Sequence, residues 1–276
     1  MRESMETRIE SSASETVEDD VMGSAGSNTG GAIPVVYHHE RIDDLQRSNL
    51  KIIQDPSRFC FGMDAVLLSG FAHVKPGELV LDIGTGTGII PLLLSAKTKG
   101  KHFTGLEIQP AMADMASRSV AYNHLEDRID IVCGDVRESE KLWKGGTWDV
   151  ITCNPPYMNE SHGLQNPDDA LAIARHEICC SLGDVVRESA RMLKSRGRMY
   201  MVHRPHRLID IIDTMRRYKL EPKTMQMVHP FADKEANMVL IEAVKDGGAH
   251  LHVPAPIIVY ESQGVYTKAI REIYGY

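Results

Sequence analysis

The stretch LVLDIGTGTGII, residues 79 to 90, decides how the chain folds, because a strand, a glycine-rich turn and a helix follow one another within it. The segment 79–84 is apolar apart from Asp82 and its closing glycine, which predicts a buried strand. The apolar run from Ile89 predicts a helix over 89–98. In an open parallel sheet, ligands bind in the crevice beyond the carboxyl ends of the strands, and glycines there let the backbone approach them closely. The turn DIGTGTG is therefore a predicted binding site.

The spacing of the glycines narrows the kind of ligand. Gly84, Gly86 and Gly88 form GxGxG, and Ile89 stands where the GxGxxG motif of dinucleotide enzymes has its third glycine. No GK[ST] follows, which excludes a phosphate-binding P-loop of the nucleotide hydrolases. The turn is thus expected to serve a ligand other than these two.

The sequence around the turn alternates strand-like and helix-like segments, which predicts that the strands pair in parallel. The expected architecture is an α/β fold: a doubly wound, mostly parallel, seven-stranded, Rossmann-like sheet preceded by a short hairpin (38–61) and a helix from Asp64. The predicted strands are 79–84, 102–108, 128–135, 148–154, 198–203, 223–229 and 237–244, and the later predicted helices are 111–123, 169–180, 182–195 and 205–218.

Acidic residues end the second and third predicted strands. Glu107 lies 19 residues past Gly88, where a carboxylate can accept hydrogen bonds from both hydroxyls of a ribose. Asp135 could receive an adenine amino group in the same way. Together with GxGxG, the two acids look like the S-adenosylmethionine site of class I methyltransferases.

The fourth predicted strand ends in NPPY at 154–157. The two prolines have a fixed φ and push the preceding residue into an extended conformation, so Asn154 and the Pro155 carbonyl are held rigidly. These two oxygens could accept both N–H groups of a nucleobase or amide nitrogen and favour a pyramidal nitrogen aimed at a methyl group. Tyr157, after Pro156, offers a ring on which a planar substrate can stack. NPPY is therefore a predicted catalytic clamp.

The chain has 276 residues, enough for one large α/β domain or two small ones, and its 42% hydrophobic residues indicate a globular protein. The longest apolar run, Ile89 to Ala96, contains Pro91 and is too short to span a bilayer, and no signal-peptide pattern opens the chain, so a cytoplasmic location is expected. The five cysteines form no CxxC pair, which argues against a metal site.

Charge is unevenly distributed along the chain. Segment 1–33 has seven acids and two arginines, or −5 of the net −7, and its low apolar content predicts a disordered acidic tail. We expect 34–250 to form the main domain and 251–276 a C-terminal extension without an assigned role. The segment from Arg187 to Lys223 contains 11 basic residues and four acids. Its basic residues could form a patch that binds RNA. Arg204 and Arg207 are the best placed members.

Several stretches resemble the tRNA(Val) adenine N6-methyltransferase family over about residues 40–260. They are DPSRFCFGMDAVLLSGFA (55–72), DIGTGTGIIPLLLS (82–95), LEIQPAMADMASRSVAYN (106–123), NPPYM (154–158), ARHEICCSL (174–182), VHRPHRL (202–208) and KEANMVLIEAVK (234–245).

The resemblance implies an S-adenosylmethionine-dependent enzyme that methylates the adenine beside the anticodon of a tRNA. It implies an amino-group clamp at 154–157 and a segment, Phe61 to Leu68, that closes over the donor. The expected donor-binding residues are Phe61, Asp64, Asp82, Gly84, Gly86, Gly88, Glu107, Ile108, Asp135, Val136 and Asn154.

Other functions remain compatible with the motifs. A protein-glutamine methyltransferase shares NPPY but normally has a separate helical domain before the sheet, and only about 40 residues of hairpin and helix precede it here. A DNA adenine methyltransferase would need a target-recognition domain, for which no segment is spare. A non-catalytic S-adenosylmethionine-binding RNA module would leave the clamp without a purpose.

Overall fold

A mostly parallel sheet organises the computed structural model, which describes residues 34–58, 60–155 and 180–275. The strands are β1 (Arg41–Asp44), β2 (Lys51–Gln54), β3 (Leu79–Ile83), β4 (His102–Glu107), β5 (Ile129–Cys133), β6 (Trp148–Cys153), β7 (Leu193–His203), β8 (Leu220–His229), β9 (Met238–Lys245), β10 (Ile257–Ile258), β11 (Tyr260–Ser262) and β12 (Val265–Tyr266). The helices are α1 (Met63–Phe71), α2 (Ile89–Lys97), α3 (Pro110–Tyr122), α4 (Ser139–Leu142), α5 (Leu182–Met192), α6 (Leu208–Arg217) and α7 (Lys268–Tyr274), with 3-10 turns at Val136–Glu138 and Pro205–Arg207.

Strand order places a topological switch beside β3. The large sheet runs β10-β8-β9-β7-β6-β3-β4-β5, and only β9 is antiparallel to its neighbours. From β3 the chain builds outward through β4 and β5, then returns to the other side of β3 with β6. The carboxyl ends of these strands share one edge, called here the carboxyl edge. Ligands of doubly wound sheets bind where the order reverses, which is between β3 and β6.

The structure confirms the predicted doubly wound α/β fold and corrects two details. The sheet has eight strands, because the two-residue β10 adds to the outer side of β8 through the pair Ile257 and Val228. The helix predicted over 182–195 ends at Met192, because Leu193 already pairs with Trp148 of β6. Sheet pairing therefore overrides the helical preference of the sequence here. The helix predicted over 169–180 lies outside the described residues, apart from Cys180.

Apolar clusters cover both faces of the sheet, which explains the continuous apolar run in β3. Val80 joins the cluster formed with Leu92 of α2, and Leu81 joins the opposite cluster with Val186 of α5. Both flanking layers are needed to bury the central strands, so the switch point sits on a rigid, fully packed support.

The N-terminal hairpin formed by β1 and β2 packs on α3. Ile53 donates its backbone N–H to the Ser119 hydroxyl at 3.0 Å, and Arg118 pairs with Glu40 at 2.6 Å. This anchoring places the segment that leads to α1 next to the sheet. The expected tail, 1–33, lies outside the described residues, and the expected division of the chain into three parts stays a prediction.

The C-terminal residues contribute to the same core. Ile270 of α7 is fully buried in the cluster that includes α1 and α2. At Gly70 of α1, an added Cβ would lie 2.8 Å from Ile273, so this glycine allows α1 and α7 to approach closely. The short β10 also covers the edge of β8, which would otherwise expose unpaired backbone groups.

In the part of the chain that the structure describes, no helix is long and apolar enough to cross a lipid bilayer.

We expect Ile270→Ala to lower the free energy of unfolding by about 2–5 kcal/mol, because it leaves a cavity under α7. Urea unfolding followed by circular dichroism measures this change. Lys268→Ala on the same helix is the control, since its side chain is 84% exposed, and it should change stability by less than about 0.5 kcal/mol. Equal stability of the two variants would mean that α7 does not help to hold the core.

Candidate active site at the carboxyl edge

Strand register brings the predicted site residues to the switch point. Ile83 of β3 is paired with Leu106 on one side and with Cys153 on the other. The residues that follow these three, Gly84, Glu107 and Asn154, therefore lie side by side at the carboxyl edge. The structure thus brings together the glycine turn, the strand-end acid and the first residue of NPPY.

The glycine turn needs glycine at each of its three positions. Gly84, Gly86 and Gly88 have φ values of +72°, +56° and +85°, in the left-handed region that other residues rarely adopt. At Gly88, an added Cβ would also lie 3.3 Å from that of Ala116 on α3. At Gly84, the space that a Cβ would take is open among the described residues, so a ligand can approach the backbone there.

Glu107 has two roles in the structure. One carboxylate oxygen accepts the Gly86 N–H and the other accepts the Gln109 N–H, each at 2.9 Å, so this buried acid fixes the glycine turn. Each oxygen of an ionised carboxylate has two acceptor positions, which leaves capacity for ligand hydroxyls. The next residue, Ile108, keeps 36% of its surface exposed and offers an apolar contact beside the acid.

Asp82 is a buried carboxylate with one oxygen satisfied and one not. Its Oδ1 accepts a hydrogen bond from the Thr152 hydroxyl at 2.6 Å, whereas Oδ2 is buried without a hydrogen-bond partner among the described residues. Burial raises the pKa of Asp82 to about 7, against the opposing effect of the Thr152 hydrogen bond. A positively charged ligand group beside Oδ2 would favour the ionised form.

Asn154 presents a second buried acceptor without a partner. Its side-chain Oδ1 is inaccessible to water and has no hydrogen bond within the part of the chain that the structure describes, a condition that costs about 1–3 kcal/mol. Pro155 is half-buried beside it. Pro156 and Tyr157 lie outside the described residues, so their predicted parts in the clamp stay predictions. A ligand N–H group is the natural partner for the Asn154 oxygen.

Asp135 is already engaged by its neighbour. Arg137 donates its backbone N–H to Oδ1 at 2.9 Å and its guanidinium to both oxygens, and these bonds hold the pKa of Asp135 below its usual range. Val136 between them is buried. The predicted contact of Asp135 with an adenine amino group would have to share this carboxylate with Arg137, and it stays a prediction.

Phe61 and Asp64 lie on the side of β3 covered by α1 and α2. Phe61 donates its N–H to Gln54 at 3.0 Å and lines a cavity of about 160 Å³ with Ile89, the first residue after the glycine turn. Asp64 lies in the first turn of α1, where it accepts the Ala65 N–H, and Gly62 occupies the position before the helix. Closure of this segment over a donor stays a prediction.

The basic stretch 187–223 does not form one patch. Arg198 is paired with Glu78 just before β3, at the edge opposite the site, whereas Arg204 and Arg207 follow β7 at the carboxyl edge. Arg204 donates to the Asn237 carbonyl and Arg207 to Asp210, both at 2.9 Å. These two arginines follow a strand end at the carboxyl edge, as expected, and their contact with RNA stays a prediction.

No cluster of three or more His, Cys, Asp or Glu side chains that could hold a metal ion occurs within residues 34–58, 60–155 and 180–275.

Comparisons with known proteins agree with this fold. Residues 80–176 match the model of a methyltransferase domain. A predicted O-methyltransferase from Agrobacterium tumefaciens has a similar structure, with a TM-score of 0.62 over 77% of this chain and 95% of that one, at 21% identity. That similarity shows the fold. Fold and domain match together define a class I methyltransferase, as the glycine turn with Glu107 and Asp135 predicted.

Curated relatives give the family. The chain is 33% identical over 187 residues to the tRNA1(Val) (adenine(37)-N6)-methyltransferase of Porphyromonas gingivalis, covering 66% of this chain and 72% of the relative. It is 30% identical over 201 residues to the enzyme of the same name from Parabacteroides distasonis, covering 72% and 82%. The chain belongs to the tRNA1(Val) (adenine(37)-N6)-methyltransferase family, which confirms the resemblance found in the sequence.

We expect Asp82→Asn to stabilise the apo protein, and to do so more at pH 8 than at pH 5. A raised pKa means that the folded protein keeps a proton on Asp82 that the unfolded chain loses, so wild-type stability falls as pH rises from about 4 to about 7. Asparagine removes this dependence, about 1.4 kcal/mol per pH unit in that range, while its oxygen still accepts the Thr152 hydroxyl. Urea unfolding at both pH values measures it. A gain that is the same at pH 5 and pH 8 would contradict a raised pKa.

Proposed function

We propose that this methyltransferase transfers a methyl group from S-adenosylmethionine to N6 of adenine 37 in tRNA1(Val), the reaction that the names of its relatives state for them. The observation that carries the proposal is a pair of oxygens at the switch point, Asp82 Oδ2 and Asn154 Oδ1, which are buried and have no partner in residues 34–58, 60–155 and 180–275. The Asp82 oxygen suits a positively charged methyl donor, and the Asn154 oxygen suits the N–H group of an amine. The two residues lie at the ends of neighbouring strands.

The described residues fit the donor. S-adenosylmethionine, when bound, supplies a methyl group attached to a positively charged sulfur. The open space at Gly84 admits a ligand against the backbone, and the lone pairs of Glu107 suit ribose hydroxyls. Asp82 Oδ2 would accept a hydrogen bond from the charged amino group of the methyl donor. Ile108 would pack against the adenine ring.

Asn154 would act on the nitrogen that receives the methyl group. The lone pair of an exocyclic adenine amine is delocalised into the ring, which makes the nitrogen a weak nucleophile. Asn154 Oδ1 and the Pro155 carbonyl would each accept a hydrogen bond from one of the two N–H groups of this nitrogen. The nitrogen then becomes more pyramidal, and its lone pair points away from these oxygens. Neither oxygen takes up the proton that the nitrogen loses on methylation, which passes to solvent.

Product analysis tests the proposal. Purified protein is incubated with methyl-tritiated S-adenosylmethionine and, in separate reactions, with tRNA1(Val) transcript, the same transcript with guanine at position 37, DNA, or total protein. We expect label in N6-methyladenine of the first transcript only. Label in glutamine of a protein would favour the alternative of a protein-glutamine methyltransferase, and donor binding without any product would favour a non-catalytic module.

Asn154→Ala should lower the single-turnover rate of tRNA methylation by at least about a hundredfold, as the loss of a preorganised polar group in an active site does. Donor affinity, measured by calorimetry, should stay within a few fold, because Asn154 acts on the amine. A rate near that of the wild type would remove Asn154 from the clamp.

Arg204→Ala with Arg207→Ala should weaken tRNA binding and flatten its dependence on salt, by roughly 0.7 to 0.9 in the slope of log K for each phosphate that the variant no longer binds. Filter binding between about 50 and 200 mM salt, a range in which such slopes are measured, follows the effect. Arg216→Ala with Arg217→Ala is the matched control, since these arginines lie in the last turn of α6, away from the carboxyl edge. Equal effects of the two double variants would place the RNA elsewhere.

A further inference from the structure

Thr152 lies in a central strand of the sheet and contacts Asp82 of the candidate site. It is fully buried in β6, it is the register partner of Asp82 in β3, and its hydroxyl donates to Asp82 Oδ1 at 2.6 Å. Asn154 is two residues further along the chain, directly after the end of the same strand. A single strand and its end thus carry both a contact to the expected donor site and the expected acceptor clamp.

The hydroxyl has a defined effect on the carboxylate. Because it occupies Oδ1 from the interior, only Oδ2 remains without a partner. Removal of the hydroxyl would leave both oxygens of a buried carboxylate unsatisfied, and the side chain would be free to rotate about its terminal bond. The Thr85 hydroxyl lies near enough to favour the charged form of Asp82, but it is outside hydrogen-bonding geometry and does not fix the rotation.

We propose that Thr152 is a positioning residue: its hydrogen bond orients Asp82 so that Oδ2 faces the methyl donor, and it ties the donor site on β3 to the strand that leads to Asn154. The inference rests on the donor site of the proposed function and adds a residue to it that does not itself touch the donor.

Beyond burial, one titratable group on the packed strands raises the pKa of Asp82, and a second group has its own pKa raised by Asp82. Glu107 of β4 raises the pKa of Asp82 through its negative charge, and Asp82 in turn raises that of the buried Cys153 thiol in β6. Both effects oppose negative charge in this region. Among the described residues, the hydrogen bond from the Thr152 hydroxyl lowers the pKa of Asp82 most, and the Thr85 hydroxyl has a smaller effect in the same direction.

The test is donor binding as a function of pH. S-adenosylmethionine is titrated into wild-type protein, Thr152→Val and Thr152→Ser by calorimetry between about pH 6 and 9, a range that includes the pKa of Asp82. Valine keeps the shape and the β-branch but lacks the hydroxyl. We expect binding to Thr152→Val to be about tenfold weaker at pH 7, with the midpoint of its pH dependence moved upward, and serine to restore both.

Thr104→Val supplies the matched control, because Thr104 is a buried threonine of the adjacent strand β4 and is in register with Leu81. It should leave affinity and midpoint unchanged. If valine at position 152 prevents folding, Thr152→Ala removes the same hydroxyl without placing a methyl group against the carboxylate, and the same shift is expected.

An unchanged affinity and midpoint in the folded hydroxyl-free variant would overturn the inference, and so would a wild-type protein that does not bind S-adenosylmethionine. Failure of the proposed function is a separate result. A protein that binds the donor with the expected Thr152 dependence, but does not label tRNA, would retain the positioning role and lose only the tRNA assignment.

Discussion

Parallel pairing of β3 with β6 is the constraint on which the rest of the site depends. The register that pairs Ile83 with Cys153 sets the glycine turn beside Asn154, and it also sets Thr152 beside Asp82. A shift by one residue would turn every side chain of β6 to the other face, so donor site and clamp would be lost together. Packing on both faces of the sheet fixes this register, because Val80 and Leu81 fill opposite apolar clusters.

The site departs from the rule that buried polar groups find partners, and it does so at two adjacent strand ends. As far as the structure describes the chain, Asp82 Oδ2 and Asn154 Oδ1 are each buried without a hydrogen bond, at a cost of about 1–3 kcal/mol apiece. The buried acid Glu188 of α5, by contrast, is satisfied, since it pairs with Arg191 and accepts the Ser139 hydroxyl. Trp148 Nε1, Ser189 Oγ and Arg198 Nε are also buried without a partner among the described residues, so it is their position at the switch point that marks the two acceptors as ligand-binding atoms.

Much of this organisation follows from the sequence, because it depends on local pattern. Alternating segments predicted the doubly wound sheet, and glycine spacing with Glu107 predicted the turn and its class of ligand. The role of Thr152 could not be predicted, because it arises from strand register rather than from spacing along the chain. The two-residue β10 is too short to give a pattern, and the engagement of Asp135 by Arg137 is a matter of side-chain geometry. Pro156 and Tyr157 remain predictions from the motif alone.

The central claim is that the Asn154 oxygen receives the amine of the target adenine while Asp82 Oδ2 receives the charged end of the donor. A crystal structure of the protein with S-adenosylhomocysteine and an anticodon stem-loop of tRNA1(Val) tests both contacts at once. We expect adenine 37 to be turned out of the loop, with N6 within hydrogen-bonding distance of Asn154 Oδ1, and the amino group of the ligand to lie at Asp82 Oδ2. An adenine bound away from Asn154, or both oxygens still without partners in the complex, would contradict it.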